Sequence, residues 1–381
     1  MSIGEKILIT GGAGFIGSNL ALKLIKKGYN ITVLDNLSTQ IHGENPEITS
    51  PLFASIKDKV HFINGSVTER NDLESALEGQ DVIVHLAAET GTGQSMYEIE
   101  KYIRVNVGGT SLLLDLLANK PNKVRKVVIA SSRAIYGEGK YLSKEFGLVY
   151  PDHRLDENVR NGDFEVKFPG CAESLTLLAT DEESKIHPSS VYGITKQAQE
   201  QLVMTVTNAL GIAGVAFRYQ NIYGPGQSLI NPYTGILSIF SSLIRNNKSI
   251  NIFEDGDESR DFVFIDDVVD ATIRGIESDM ANGQVFNVGS GVPTTVKNVV
   301  SELLRCFDID IPVNITGNYR LGDIRHNYAD ISKINFLLNF TPKMDFKNGI
   351  GKFVNWAKNQ SQSPEYYQRS LDELKKKNLF K

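Results

Sequence analysis

Three things are scarce in this chain of 381 residues, and each scarcity narrows what it can do. It has two cysteines, Cys171 and Cys306, far apart and outside any Cys-x-x-Cys. That excludes a disulfide framework and points to a reducing compartment. No apolar run is long enough to cross a bilayer, and the first residues lead almost directly into a strand. No membrane span and no cleaved signal are expected, and the cytoplasm is the default. Basic excess is missing too: 40 Lys and Arg stand against 45 Asp and Glu, a net charge of −5. This gives no support for nucleic acid or an anionic membrane as partner. The length suffices for one large or two medium domains with real cores.

Glycine, by contrast, is concentrated where it carries chemistry. Lys6 to Thr10 reads as a short buried strand, followed by Gly11-Gly12-Ala13-Gly14-Phe15-Ile16-Gly17. Gly12, Gly14 and Gly17 satisfy G-x-G-x-x-G; Gly11, Gly14 and Gly17 satisfy the related G-x-x-G-x-x-G. Such glycines permit a tight turn, close approach to a pyrophosphate, and close packing of helix on strand. The next helix pairs Leu20 with Leu24 and Ala21 with Ile25 at i, i+4, so it buries one face and points its N-terminus at the phosphates. Ile31 to Leu34 reads as the second strand, ending at Asp35, where a ribose 2′-hydroxyl needs an acceptor. No Arg or Lys occurs from Asn36 to Gln40 to hold a 2′-phosphate, which favours NAD over NADP.

Further on, Tyr192 and Lys196 stand four apart on one helix face. A free phenol has a pKa of about 10, and a nearby ammonium brings it toward the operating range of a proton-transfer group. Alone, most Tyr-x-x-x-Lys pairs are solvated helix faces; downstream of a dinucleotide turn the catalytic reading wins. Between the two, Val60 to Asn64, Asp81 to Leu86 and Val124 to Ala130 read as strands buried on both faces, separated by helical stretches such as Asn71 to Leu77 and Asn106 to Asn119. Ala213 to Arg218 follows as another strand. This alternation predicts an α/β fold: a Rossmann-type doubly wound parallel sheet over 1–223, interrupted by an insertion at 138–188. A smaller, mixed C-terminal substrate domain over 224–381 follows, with part of 260–290 returning to the first. The final lysine-rich stretch, with Leu371, Leu374 and Leu379, reads as a surface helix.

Thr10 to Gly17, His85-Leu86-Ala87-Ala88, Asn106 to Thr110, Ser131 to Gly137 and Tyr192 to Lys196 occur in the order of the motifs of the extended short-chain dehydrogenases/reductases. The likeness runs on through Arg218 to Pro225, Arg260 to Asp267, Asn287 to Gly291 and Arg320 to Arg325, and the chain resembles the nucleotide-sugar epimerase/dehydratase branch. Asn231-Pro232-Tyr233-Thr234-Gly235 and Ile252 to Gly256 look most like dTDP-L-rhamnose 4-epimerase-type proteins. The resemblance implies that NAD is held by Gly11, Gly14, Phe15, Ile16, Gly17, Asp35, Asn36, Ser66, Val67, Leu86, Ala87, Ala88 and Asn106, with Tyr192 and Lys196. It implies Tyr192 as acid/base, Lys196 as the group that holds the nicotinamide ribose and depresses the tyrosine pKa, and Ser132 as a partner of the same sugar hydroxyl. A nucleotide-diphospho-sugar would be gripped by Asn221, Arg260 and Arg320, with Asp323 orienting an arginine, while Thr90 opens a flexible loop to Ser95 lining the sugar pocket. The expected reaction is epimerisation, at C4 of a dTDP- or UDP-hexose or 6-deoxyhexose, through a transient keto sugar. The same motifs admit an NAD(P)H-dependent reductase, a CDP-deoxysugar 2-epimerase or a non-catalytic dinucleotide sensor, and loop contacts from Ile230 to Phe253 would choose the base.

Several departures from the family pattern matter. Ser66 replaces the aspartate usual against the adenine. Arg133-Ala134 stands where dehydratases carry Asp-Glu, which disfavours elimination of water. Cys171 has no second cysteine beside it, and with only His153 and His187 to join it no metal site is expected. The resemblance also implies a homodimer in which the Asn106 to Asn119 and Tyr192 to Leu210 helices meet their copies, and Leu112, Leu113, Leu116 and Leu117, more apolar positions than one sheet-facing stripe needs, are consistent with a second buried face.

Overall fold

The computed structural model describes residues 4–229, 231, 233, 235–360 and 367–381. Ile230, Pro232 and Thr234, which belong to the segments expected to read the sugar and base, lie outside the described residues. Seven parallel strands form the central sheet: β1 (Lys6–Thr10), β2 (Asn30–Asp35), β3 (His61–Asn64), β4 (Val82–His85), β5 (Lys126–Ser132), β6 (Ala213–Tyr219) and β7 (Gln284–Val288). Their spatial order is β3-β2-β1-β4-β5-β6-β7. β1 pairs with β2 on one side and β4 on the other, Thr10 lying level with Leu34 and with His85. The order reverses there, and a crevice opens beyond the carboxyl ends at such a switch point.

Helices cover both faces because the strands are apolar on both: Ile7, Leu8, Ile9, Val82, Ile83, Val84, Val127, Val128 and Ile129 are fully buried. Burying each such side chain stabilises by about 1.5–3 kcal/mol. On one face lie α1 (Phe15–Lys26), burying Leu20, Ala21 and Leu24, and α4 (Ile265–Glu277), tied to it by Lys23 Nζ to Asp270 at 2.6 Å. On the other lie α2 (Gly109–Asn119) and α3 (Val191–Leu210). The stretch expected to be one helix from Asn106 begins as a π-turn, Ile103–Gly108, before α2. Leu113, Leu116 and Leu117 are buried in the chain's own core with Leu114, and Leu112 packs on them half-buried. The leucine surplus expected to form a second, dimerising face is therefore absorbed internally, because α2 is sandwiched between the sheet and its neighbours.

Strand 259–264 leads into α4 and β7, so 265–288 returns to the central sheet while 221–223, 259–264, 293–295 and 326–327 form a smaller mixed sheet. The insertion contributes a three-stranded antiparallel sheet, with 140–143 between 147–149 and 176–178, around Tyr141, Val149 and Val166. Helix 367–376 is anchored more deeply than a surface helix, with Leu371 and Leu374 buried. Among the described residues, no helix is long and apolar enough to cross a membrane.

Candidate active site

Steric closeness dictates the turn between β1 and α1. Gly11 has φ +68°, and a Cβ there would stand 2.8 Å from the Ala87 nitrogen. At Gly17 a Cβ would meet Gly12 Cα at 2.5 Å, so the last glycine is what lets helix and turn touch. Gly14 is the N-cap of α1, with no side-chain cap and no acid in the first turn. The amides at Phe15, Ile16 and Gly17 thus head the helix without a carboxylate of the chain's own, an arrangement that suits a pyrophosphate. Asp35, nearly buried at the end of β2, accepts from Ala13 N at 2.9 Å and Leu37 N at 2.9 Å. It braces the turn from the position where a ribose acceptor is expected. Asn36 is exposed and accepts from Ser38 N, and at the end of β4 Ala87 N donates to Thr10 Oγ1, with Leu86 and Ala88 half-buried beside it. Where Ser66 replaces an aspartate, its N–H donates to Asp72 at 2.8 Å, while Val67 is buried against Gly109. Glycine clearance, an uncapped helix head and a ribose-side carboxylate together fit a dinucleotide.

Ser132 closes β5, and Tyr192 and Lys196 lie one turn apart at the head of α3. Ser190 caps α3 by accepting from Gly193 N at 3.1 Å, and Tyr192 N donates to Ser95 Oγ at 3.0 Å. Thr90 is exposed, but its carbonyl accepts from Tyr102 OH at 2.7 Å and Thr92–Ser95 is a helical turn, so the loop expected to be flexible is tied down. Burial pushes the Tyr192 phenol up, while its hydrogen bond with Ser132 and the charge of Arg133 pull it back. Lys196 Nζ donates to Ala130 O at 2.9 Å, and burial pushes its ammonium down to about 7. Arg133 is thus a second cation whose charge bears on Tyr192.

Beneath the site runs a polar scaffold that sequence reasoning missed. Glu200 of α3 accepts from Ser131 Oγ at 2.5 Å and from Arg218 Nη2 at 2.6 Å; Arg218 also donates to Tyr136 OH, which donates to Asn287 Oδ1. Asn106, expected to touch cofactor, is fully buried: its amide donates to Thr195 Oγ1 and Glu89 O, and its carbonyl accepts from Glu89 N. It positions the Tyr192 helix through the π-turn. His85 is held by Thr10 and Thr110, and burial pushes it down to about 3, so the ring is neutral at physiological pH.

The residues expected to hold a substrate converge from remote segments. Arg260 donates from Nη1 to Ser259 O and Arg325 O, and from Nη2 to Ile324 O and Asp323 Oδ1. Burial opposes ionisation of Asp323, yet Arg260, then Arg320, Arg133 and Arg154 hold its carboxyl below the ordinary value. Asn221 accepts from Arg133 Nε at 2.7 Å. Arg320 lies over the Phe253 ring at 5.0 Å and forms a bridge with Phe380. Arg154 of the insertion pairs bidentately with Glu254, both contacts 2.8 Å, and donates to Asp323 O. The final helix closes the same edge: Glu373 accepts from Tyr233 OH at 2.5 Å and Tyr97 OH at 3.1 Å. Cys171 lies by Ser143 Oγ at 3.3 Å in the insertion, away from these groups.

Comparison with known proteins agrees with this geometry. Residues 7–153 and 169–289 match the model of the NAD dependent epimerase/dehydratase family. The chain is 36% identical to dTDP-L-rhamnose 4-epimerase of Burkholderia thailandensis over 93% of this chain and 95% of that one. It is 30% identical to a putative UDP-glucose 4-epimerase of Methanocaldococcus jannaschii, over 94% and 100%. A solved structure of a mutant UDP-glucuronic acid 4-epimerase from Bacillus cereus, in complex with UDP-4-deoxy-4-fluoro-glucuronic acid and NAD, superposes with a TM-score of 0.74 at 25% identity, covering 93% and 99%. The glycine turn, the Tyr192–Lys196 helix and the matched span together place this chain in the NAD dependent epimerase/dehydratase family.

Proposed function

We propose that this chain is an NAD-dependent nucleotide-sugar epimerase, acting at C4 of a dTDP- or UDP-linked hexose or 6-deoxyhexose. The observation that carries the reading is Ser132, Tyr192 and Lys196 standing between a glycine-built dinucleotide cradle and an arginine cluster. NAD held by the turn at Gly11 to Gly17 and by Asp35 supplies a hydride acceptor and donor at a sugar carbon. Tyr192 takes the hydroxyl proton and returns it, the role for which the Ser132 hydrogen bond and the Arg133 charge prepare it. Lys196 sits one turn along, where its ammonium reaches a ribose hydroxyl once it leaves Ala130 O. Asn221 and Arg320 anchor the diphosphate, with Arg260 adding positive charge while its own donors hold the strand and the Asp323 loop, as the keto sugar turns and presents its other face. The dTDP-L-rhamnose relative favours thymine and a 6-deoxy sugar.

NMR of NAD-loaded enzyme with dTDP-, UDP- and CDP-sugars tests this: one sugar should equilibrate with its C4 epimer without net NADH. Net consumption of cofactor, or inversion at C2, overturns it. A homodimer belongs to the same proposal, now resting on Ile99, Ile103 and Ile194, which are 51%, 42% and 50% exposed on packed neighbouring helical turns. Light scattering at micromolar concentration should give twice the 42.1 kDa chain mass; the single mass with activity intact removes the dimer. The free cysteines, Cys171 and Cys306, fit the cytoplasm.

A further inference from the structure

Arg133 departs from the dehydratase pattern, and its placement gives it a task. It opens the 3₁₀ turn Arg133–Tyr136 immediately after Ser132, whose hydroxyl accepts from Ala134 N at 3.1 Å. Its Nε donates to Asn221 Oδ1 at 2.7 Å, which fixes the guanidinium plane from the neighbouring strand end. The side chain is half-buried, and among the described residues no carboxylate lies within ion-pair distance of it; its two terminal nitrogens have no protein hydrogen-bond partner and stay open to solvent. Arg260 differs in kind, since all four of its terminal N–H groups already donate to Ser259, Arg325, Ile324 and Asp323. Water completes those donors in the free protein, and an oxygen of a bound ligand can take its place.

We propose that Arg133 is the sugar-reading residue of this site: its terminal N–H groups donate to an oxygen of the hexose beside the carbon that reacts at Tyr192. This rests on the reading of the site as a nucleotide-sugar site. The sugar is favoured over the diphosphate because Arg133 adjoins Ser132 and its charge bears on Tyr192. Burial, then the charge of Arg260, pushes Arg133 down to about 10, so it is still a cation at physiological pH and welcomes an electron-rich partner. A guanidinium that stays protonated holds a keto sugar without offering the base that elimination across C5–C6 needs.

Calorimetry on the NAD-loaded full chain, with UDP-glucose and a dTDP-6-deoxyhexose against free UDP and dTDP, separates the contacts. Loss of a charge-assisted hydrogen bond weakens binding about 10- to 100-fold, so Arg133→Met should lose that much for the sugar nucleotides and keep its affinity for the free diphosphates within about twofold. Arg133→Lys should recover part of the loss, and NAD affinity should report intact folding in both. Equal loss for sugar nucleotide and free diphosphate makes Arg133 a phosphate ligand and overturns the proposal, as does no loss at all. Wild-type protein that binds none of the four ligands overturns the function itself, a separate result.

Discussion

The two sides of the crevice are built from different materials. The cofactor side is backbone: a turn whose glycines leave no room for a Cβ, a helix head without a cap, and one carboxylate, Asp35, all within a short local stretch of chain. The sugar side is charge. Arg133, Arg154, Arg260 and Arg320 come together around Asp323, with Glu254, Glu258 and Arg325 behind them, from segments far apart in sequence. Backbone cradles depend on close packing and are insensitive to pH. Buried ion clusters depend on every partner being present, and removing one leaves an uncompensated charge. In the proposed function, cofactor binding thus falls to a rigid local motif and sugar binding to a long-range charge network.

That contrast can be broken at several points. Tyr192→Phe, between the two sides, removes the proton-transfer group while keeping ring and packing; turnover should fall about 10²–10⁴-fold with NAD still bound. A variant with near-normal turnover would remove tyrosine from the chemistry. Arg154→Met strips Glu254 of its bidentate partner, leaving it Arg325 at 3.1 Å, in a buried cluster where the Arg154 and Glu254 side chains are each 6% exposed. Denaturant unfolding should show a loss of about 3–5 kcal/mol, with NAD affinity nearly unchanged. If NAD affinity collapses with it, the two sides are not separable. Asp35→Ala should do the opposite, weakening NAD about 10- to 100-fold by releasing Ala13 N and a ribose acceptor, with little effect on nucleotide binding in the holoenzyme. A wild type that prefers NADP would contradict that reading of Asp35.

The smallest effect is on pH. Burial pushes Glu138 and Glu258 up to about 7. Their neutral forms are favoured in the folded chain, so their contribution is full below the ordinary carboxylate range and declines as pH rises from about 4.5 to about 7. Thermal midpoints across that window should fall less steeply for Glu258→Gln than for wild type; parallel curves would show that Glu258 does not titrate there.

The same contrast explains what was legible in the sequence. The cofactor turn, the first six strands of the sheet and the Tyr192–Lys196 pair are local patterns, and they stand within a residue or two of where spacing put them; the seventh strand, Gln284–Val288, reads only as part of a returning stretch. The surroundings of the lysine are a tertiary matter: that Lys196 lies on Ala130 O follows from how β5 meets α3. Glu200 and Arg218 read as ordinary polar positions because their partnership crosses from helix to strand. Arg154 and Glu254 are 100 residues apart, and no periodicity links them. The leucines of α2 misled for a related reason, since a stripe too wide for the sheet can still be covered by neighbouring helices of the same chain.

Everything above depends on a hydride leaving the sugar and returning to it. A nucleotide sugar carrying deuterium at C4 tests that most directly, followed by NMR with NAD-loaded enzyme. The epimer should appear with the deuterium still at C4 and no NADH accumulated. Deuterium lost to solvent, or product formed only as cofactor is consumed, would contradict a closed hydride cycle at Tyr192.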